Sequence, residues 1–286
     1  MTFQSWGSIC APWQEGGFNI KELLSWNKAL ISKWLWLLIQ GRGGVWAAWT
    51  EFYVIVDSSI WTVLSKPHFA ESWRAILKVR GHLLTIAGSQ QGAQAALNSC
   101  VLKGEFVVSK PYDMFRKKRR KLGWTKALIC PELLPKHKVC VIQATQQVLS
   151  TLDKISARGY PMVNWCCLCE RAWESHRHLL FRCSYSKNIC RLMQSWLDIP
   201  GCRTDCSLKN WLYWISAKGG FRSWQKIVVT CSIAGMVYSI WEERNMRIFR
   251  GQARSHDLVA KQLQWILQTR LLVSFNSCIQ NWLALK

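Results

Sequence analysis

Residues 166–183 read CCLCERAWESHRHLLFRC, and four of them are of the kinds that hold a metal ion. Cys166, Cys169, His178 and Cys183 follow the spacing C-x2-C-x8-H-x4-C. Tetrahedral zinc takes four nitrogen or sulfur donors at about 2.0–2.3 Å, and a C-x-x-C turn delivers two thiolates to one side of the ion. The second pair must return from a following turn or helix. His178 and Cys183 sit near one and a half helical turns apart, so both reach a single ion where that helix ends or bends. Cys167 stands as an alternative to Cys166, and His176 to His178. The spacing favours Cys166 and leaves the histidine open. Four protein donors leave no coordination position for a substrate, which is the pattern of structural and not of catalytic zinc. Zinc bound in this way gives its surroundings on the order of 10–16 kcal/mol of apparent free energy. So short a segment cannot obtain that from apolar burial.

Other residues bear on chemistry less sharply. The chain has 13 cysteines, and its N-terminus shows no basic segment leading into an apolar one. An intracellular, reducing location is expected, where clustered cysteines ligate metal instead of pairing. Cys190, Cys202 and Cys206 fall outside the spacing and read as packing residues. Lys plus Arg number 38 against 16 for Asp plus Glu, a net charge of +22. Nucleic acid is the usual polyanion that meets such a surplus inside cells. The bases gather in Arg116, Lys117, Lys118, Arg119, Arg120 and Lys121. They gather again as Arg171, Arg177, Arg182 and Lys187, with Trp165 and Trp173 interleaved. The first run suits phosphate contacts or a nuclear-import patch, and a solvated loop is its bland alternative. The second set suits bases stacked on aromatics beside arginine; the competing reading has both tryptophans capping the module's own small core. H-E-x-x-H, G-x-S-x-G, G-x-G-x-x-G and P-loop patterns do not occur, so no enzyme is expected.

The elements that must position these residues are mostly helices. Residues 19–40 carry Leu23, Leu24, Ala29, Leu30, Trp34, Leu37 and Leu38 at helical spacing, stopped by glycines at 41–44. Further helices are expected at 45–56, 72–84, 138–157, 187–199, 207–217, 224–249 and 256–273. The helix at 138–157 presents Ile142, Val148, Leu149, Leu152 and Ile155, with Gly159 as its stop. The last presents Val259, Leu263, Ile266, Leu267 and Leu271. Residues 87–104 are small and polar and read as a loop or deletion scar, and 105–108 as a short strand. The uncharged stretch Ile227–Trp241 is shorter than the roughly 20 residues that span a bilayer, so no membrane contact is expected. The fold class is mainly α, helical segments around a small zinc-stabilised module, with room for one short β-hairpin.

The segment 166–183 resembles the C-x-x-C…E-S-x-x-H-L-x-F-x-C signature of the reverse-transcriptase zinc-binding domain in plant LINE-type, non-long-terminal-repeat retrotransposons. Pro12 to Leu30, Leu134-Pro135-Lys136-His137 with Leu152-Asp153-Lys154, and Ile240-Trp241-Glu242-Glu243-Arg244-Asn245 with Arg247-Ile248-Phe249 are similar to flanking parts of those proteins, in the same order. The resemblance implies His178 as the histidine ligand and zinc as the cofactor. It implies a post-polymerase helical segment over 1–86, a zinc-binding domain over 105–195 and a C-terminal helical region over 205–286. The family's Y-x-D-D polymerase carboxylates have no counterpart here, because Asp57 has no neighbouring Asp. The function expected is a non-catalytic, zinc-binding, nucleic-acid-binding remnant of a reverse transcriptase. RNA, DNA or the parent reverse-transcriptase machinery would be its partners. The alternative is a structural or protein-docking element, or an inert relic, that touches no nucleic acid.

Overall fold

In the computed structural model, residues 5–55, 58–198, 207–217 and 223–274 are described; Asp57, Cys202 and Cys206 lie outside them. Twelve α-helices occur among these residues. They are α1 (Trp6–Ile9), α2 (Leu23–Ile39), α3 (Gly44–Tyr53), α4 (Glu71–Ala87), α5 (Gln90–Ser99) and α6 (Ser109–Phe115), then α7 (Pro135–Thr145), α8 (Leu152–Ser156), α9 (Ser184–Leu197), α10 (Leu208–Ala217), α11 (Ser223–Arg250) and α12 (His256–Ser274). A single antiparallel hairpin, β1 (Val101–Leu102) and β2 (Glu105–Phe106), turns through Lys103 and Gly104. Both turn residues have positive φ, as a two-residue hairpin turn requires. The class is mainly α, as expected. No helix among the described residues is long and apolar enough to cross a membrane.

The chain divides into two compact units, Ile20–Arg119 and Met1–Asn19 with Arg120–Lys286. The division falls inside the basic run 116–121, not near residues 87–104.

In the 20–119 unit, α2 starts where the Glu22 carboxylate accepts the backbone N–H groups of Leu24 and Ser25 at 3.2 and 2.8 Å. Its buried face is Ser25, Ala29, Ser32, Leu35, Trp36 and Leu38, whereas Leu23 and Leu24 are 71% and 73% exposed. The helix is apolar nearly all round, so counting leucines points to the wrong face. Small residues decide instead, and Ser32 is buried with its hydroxyl donated to the Lys28 carbonyl at 2.8 Å. Residues 90–99 are also not a loop. Gly88, with φ of +72°, closes α4, and the Ser89 hydroxyl caps α5 by accepting the Gly92 N–H. Ala93 and Leu97 of α5 are buried against α4. The small residues of this stretch permit close helix packing, which composition alone reads as disorder.

In the other unit α11 is the central helix. Val228, Val229, Ala234, Met236 and Ile240 are buried among α7, α9, α10 and α12. Val259, Leu263, Leu267 and Leu271 of α12 are buried in the expected register, with Ile266 half-buried. Gly235 lies at the crossing of α11 and α12, where a Cβ would come within 2.4 Å of the Leu263 side chain. The helix expected over 138–157 is broken into α7 and α8. Gln147 takes a positive φ of 58°, and the N–H of Leu152 at the start of α8 donates to the Glu174 carboxylate at 2.7 Å. A side chain from the cysteine segment thus begins the second helix. Gly159, at φ of +83°, ends the α8 region as expected.

Candidate metal centre

The first two donors sit on a tight turn. Trp165 and Trp173 form an isolated antiparallel bridge, and the Cys166 N–H donates to Ala172 O at 2.9 Å. Between them the chain reverses through Glu170, whose φ is +51° and whose N–H reaches back to Cys166 O at 2.8 Å. Cys166 and Cys169 are thereby brought to one side.

The second pair comes from a helical turn opened by Ser175. Its hydroxyl accepts the His178 N–H at 3.1 Å and its carbonyl the Leu179 N–H at 2.8 Å. His178–Arg182 is then a π-turn, closed by the Cys183 N–H on His178 O at 2.8 Å. An α-helix would carry donors five residues apart to different sides, and the wider i→i+5 turn stacks them. Leu179 and Leu180 between them point into the core, and the buried Ser186 hydroxyl holds Leu179 O at 2.6 Å.

The four donor atoms, the three Sγ and the His178 nitrogen, all lie within 4.8 Å of one another. Cys166 Sγ to Cys183 Sγ is 3.9 Å, and Cys169 Sγ to His178 Nε2 is 3.3 Å. A tetrahedron with donors about 2.3 Å from its centre has edges of about 3.8 Å, so this donor set fits zinc in size and in kind. Its electrostatics fit too. The hydrogen bond from Cys166 pulls the Cys183 thiol down to about 5, against the opposing effect of burial. Backbone N–H groups of Tyr185 and Ser186 add to this, because Cys183 is the N-cap of α9. Cys166 is correspondingly pushed up. Thiolate character is available where a cation would sit.

The two alternative ligands are placed elsewhere. The Cys167 thiol faces the Arg244 carbonyl at 3.8 Å and is pushed up to about 11 by burial. His176 is held down to about 4, chiefly by burial, and Lys154 adds to the effect. Cys190 is a packing residue against the core. Arg171, Arg177 and Arg182 are exposed around the turns. In the basic run, Arg116 pairs with Asp113 at 2.6 Å, whereas Lys117, Lys118, Arg119, Arg120 and Lys121 are exposed where one unit gives way to the other.

Spacing alone missed the residues that hold this site in place. Glu174 and Arg244 are 0% and 1% exposed, joined by hydrogen bonds of 2.9–3.2 Å from the guanidinium. Arg247 donates to the carbonyls of Cys167 and Leu168 at 3.0 and 3.4 Å, so α11 grips the C-x-x-C turn directly. The buried Glu243 carboxylate holds both Arg247 and Arg254 at 2.8 Å. The available signal was charge inside an apolar helix, since Glu242-Glu243-Arg244 follows a long uncharged run and buried charges are kept only when paired.

Three cysteines and one histidine, clamped by arginines from a core helix, thus form a cluster whose geometry could hold a metal ion. Residues 106–189 match the family described as zinc-binding in reverse transcriptase. A curated Arabidopsis thaliana protein whose name describes it as a ribonuclease H protein is 32% identical over 74 residues, covering 25% of this chain and 12% of that protein. No solved structure matches. The resemblance of the cysteine segment to the zinc-binding domain of plant retrotransposon reverse transcriptases is borne out.

Proposed function

We propose that the metal-site unit is a non-catalytic zinc module that holds RNA or DNA, with Cys166, Cys169, His178 and Cys183 as its zinc ligands. The observation that carries the nucleic-acid part is the pair of tryptophans on the first metal turn. Trp165 and Trp173 are 42% and 64% exposed, whereas residues capping a core would be buried. Their rings meet edge to face, with centroids 5.7 Å apart and planes at 76°. Arg171, Arg177 and Arg182 are exposed on the same segment, and none of the three pairs with a carboxylate among the described residues. Stacking on such rings contributes about 1–3 kcal/mol per base, and the net charge of +22 supplies the phosphate attraction. Four protein donors leave the ion no open position, which supports a structural role.

Fluorescence anisotropy of the zinc-loaded full chain on a labelled 20-nucleotide uridine strand tests this. Six phosphate contacts would cost about 10³-fold in affinity between 50 and 200 mM salt. Trp173→Ala should weaken binding roughly tenfold, in line with the loss of one stacked base. Salt-insensitive binding, or an unchanged Trp173→Ala variant, overturns the reading.

One observation favours a protein-docking role for the 20–119 unit. Helix α3 exposes Val45, Trp46, Trp49, Phe52 and Tyr53 together, a larger aromatic surface than solubility needs. An assembly seen in sedimentation and dissolved by Trp49→Ser would support it.

A further inference from the structure

Against the metal-site turn lies a cleft of about 370 Å³, within the range of built ligand sites. We infer that it is a docking groove for an acidic, amphipathic helix of a partner protein. Ile233, Met236 and Val237 of α11 line it. Leu180 and Phe181 of the π-turn and Trp211 of α10 add to its apolar lining, the last two rings touching each other. This lining is aliphatic in the main. Its two aromatic rings stand edge to face, 6.4 Å apart with planes at 78°, so they offer no parallel slot for a nucleobase. Leucine- or phenylalanine-sized anchors suit it better, and a space of this volume takes two or three of them.

Charge on the rim selects the partner. Lys187 and Arg191 line the cleft from α9, one helical turn apart. Neither meets a carboxylate among the described residues; Arg191 reaches only the Asn188 amide oxygen, at 3.0 Å. No acidic residue is among the described residues that line the cleft. Two unneutralised cations spaced i, i+4 beside an apolar trough complement a helix that carries apolar anchors on one face and carboxylates at the same spacing beside them. An acidic surface is also the protein partner that a chain of net charge +22 attracts from a distance.

The test uses the full zinc-loaded chain and a fluorescein-labelled 15-residue peptide with both ends blocked. Leucines occupy one helical face of the peptide and glutamates flank it. Saturable binding is expected, at least tenfold tighter than that of a scrambled peptide of the same composition. Lys187→Glu with Arg191→Glu should weaken binding at least tenfold, and a peptide with lysine in place of glutamate should recover affinity for that double variant. Trp173→Ala should leave the peptide affinity unchanged while lowering that for the uridine strand, which separates this site from the nucleic-acid surface. Equal binding of the scrambled peptide, or indifference to charge reversal, overturns the inference. So does a 15-nucleotide thymidine strand that loses affinity on Phe181→Ala while the peptide does not, because the cleft would then serve nucleic acid.

Discussion

Replacing Arg244 by Met tests the architecture of the metal site at its most sensitive point. Glu174 is fully buried and accepts hydrogen bonds from Arg244 Nε and Nη2 and from the Leu152 N–H. Removing the guanidinium leaves a carboxylate out of water with one backbone donor at 2.7 Å. Breaking one side of a buried pair costs about 3–5 kcal/mol, against a total stability of roughly 5–15 kcal/mol for a domain. Glu174 lies between Trp173 and Ser175, the residues that end one metal turn and open the other. The damage should therefore reach the metal. Urea denaturation with zinc saturating, followed by far-ultraviolet circular dichroism, should give a loss of about 3 kcal/mol or more. Competition with a chromogenic chelator should show weaker zinc retention. Glu174→Gln with Arg244→Met should cost less than Arg244→Met alone, because the uncompensated charge is gone. A single variant within about 1 kcal/mol of the parent chain, or a double variant costing the sum of the two singles, refutes the reasoning.

Metal analysis of purified protein should find one zinc per chain, lost in Cys169→Ser, and the 166–183 segment should become protease-sensitive when a strong chelator is added; equal resistance with and without chelator contradicts the ligand set. His137 offers a test by pH. Burial, reinforced by Lys136, holds its imidazole down to about 4 from an ordinary 6.5. Between these values the unfolded chain takes up a proton that the fold does not, so stability falls as pH drops through that window. From pH 7 to pH 5 the parent chain should lose about 2 kcal/mol more than His137→Gln in parallel urea titrations, and equal slopes exclude the effect. Gly235→Ala should cost about 1–3 kcal/mol in the same assay, since its methyl group would meet the buried Leu263 at 2.4 Å. An unchanged midpoint would mean that α11 and α12 cross more loosely than described.

The helices were legible because most of them repeat their apolar residues at one spacing, as α12 does through Val259, Leu263, Leu267 and Leu271. Helix α2 shows the limit of that logic. When apolar residues surround a helix, the buried side is chosen by fit against neighbours, and Ser25, Ala29 and Ser32 win because they are small. Helix α5 was hidden for a related reason, since Gly, Ala, Ser and Gln occur in loops as readily as at close helix crossings. At the metal site, spacing carried the placement of the turns but not the choice of histidine. His176 and His178 are two positions apart, and only the π-turn geometry and the Ser175 cap direct His178 toward Cys169. The clamp by Arg244 and Arg247 lies some 80 residues along the chain from the cysteines it secures, beyond the reach of any local pattern.

That distance has a practical meaning for anyone who cuts the gene. A fragment ending at residue 189, where the family match stops, would keep all four proposed metal ligands and discard the guanidinium groups that hold Cys167 O, Leu168 O and Glu174. It would also discard Arg254, whose carbonyl receives the Tyr185 hydroxyl at 3.0 Å. Such a piece would leave a carboxylate and two carbonyls without the partners they have here, and it should hold metal more weakly than the full chain. A fragment that keeps these contacts must extend at least to Arg254.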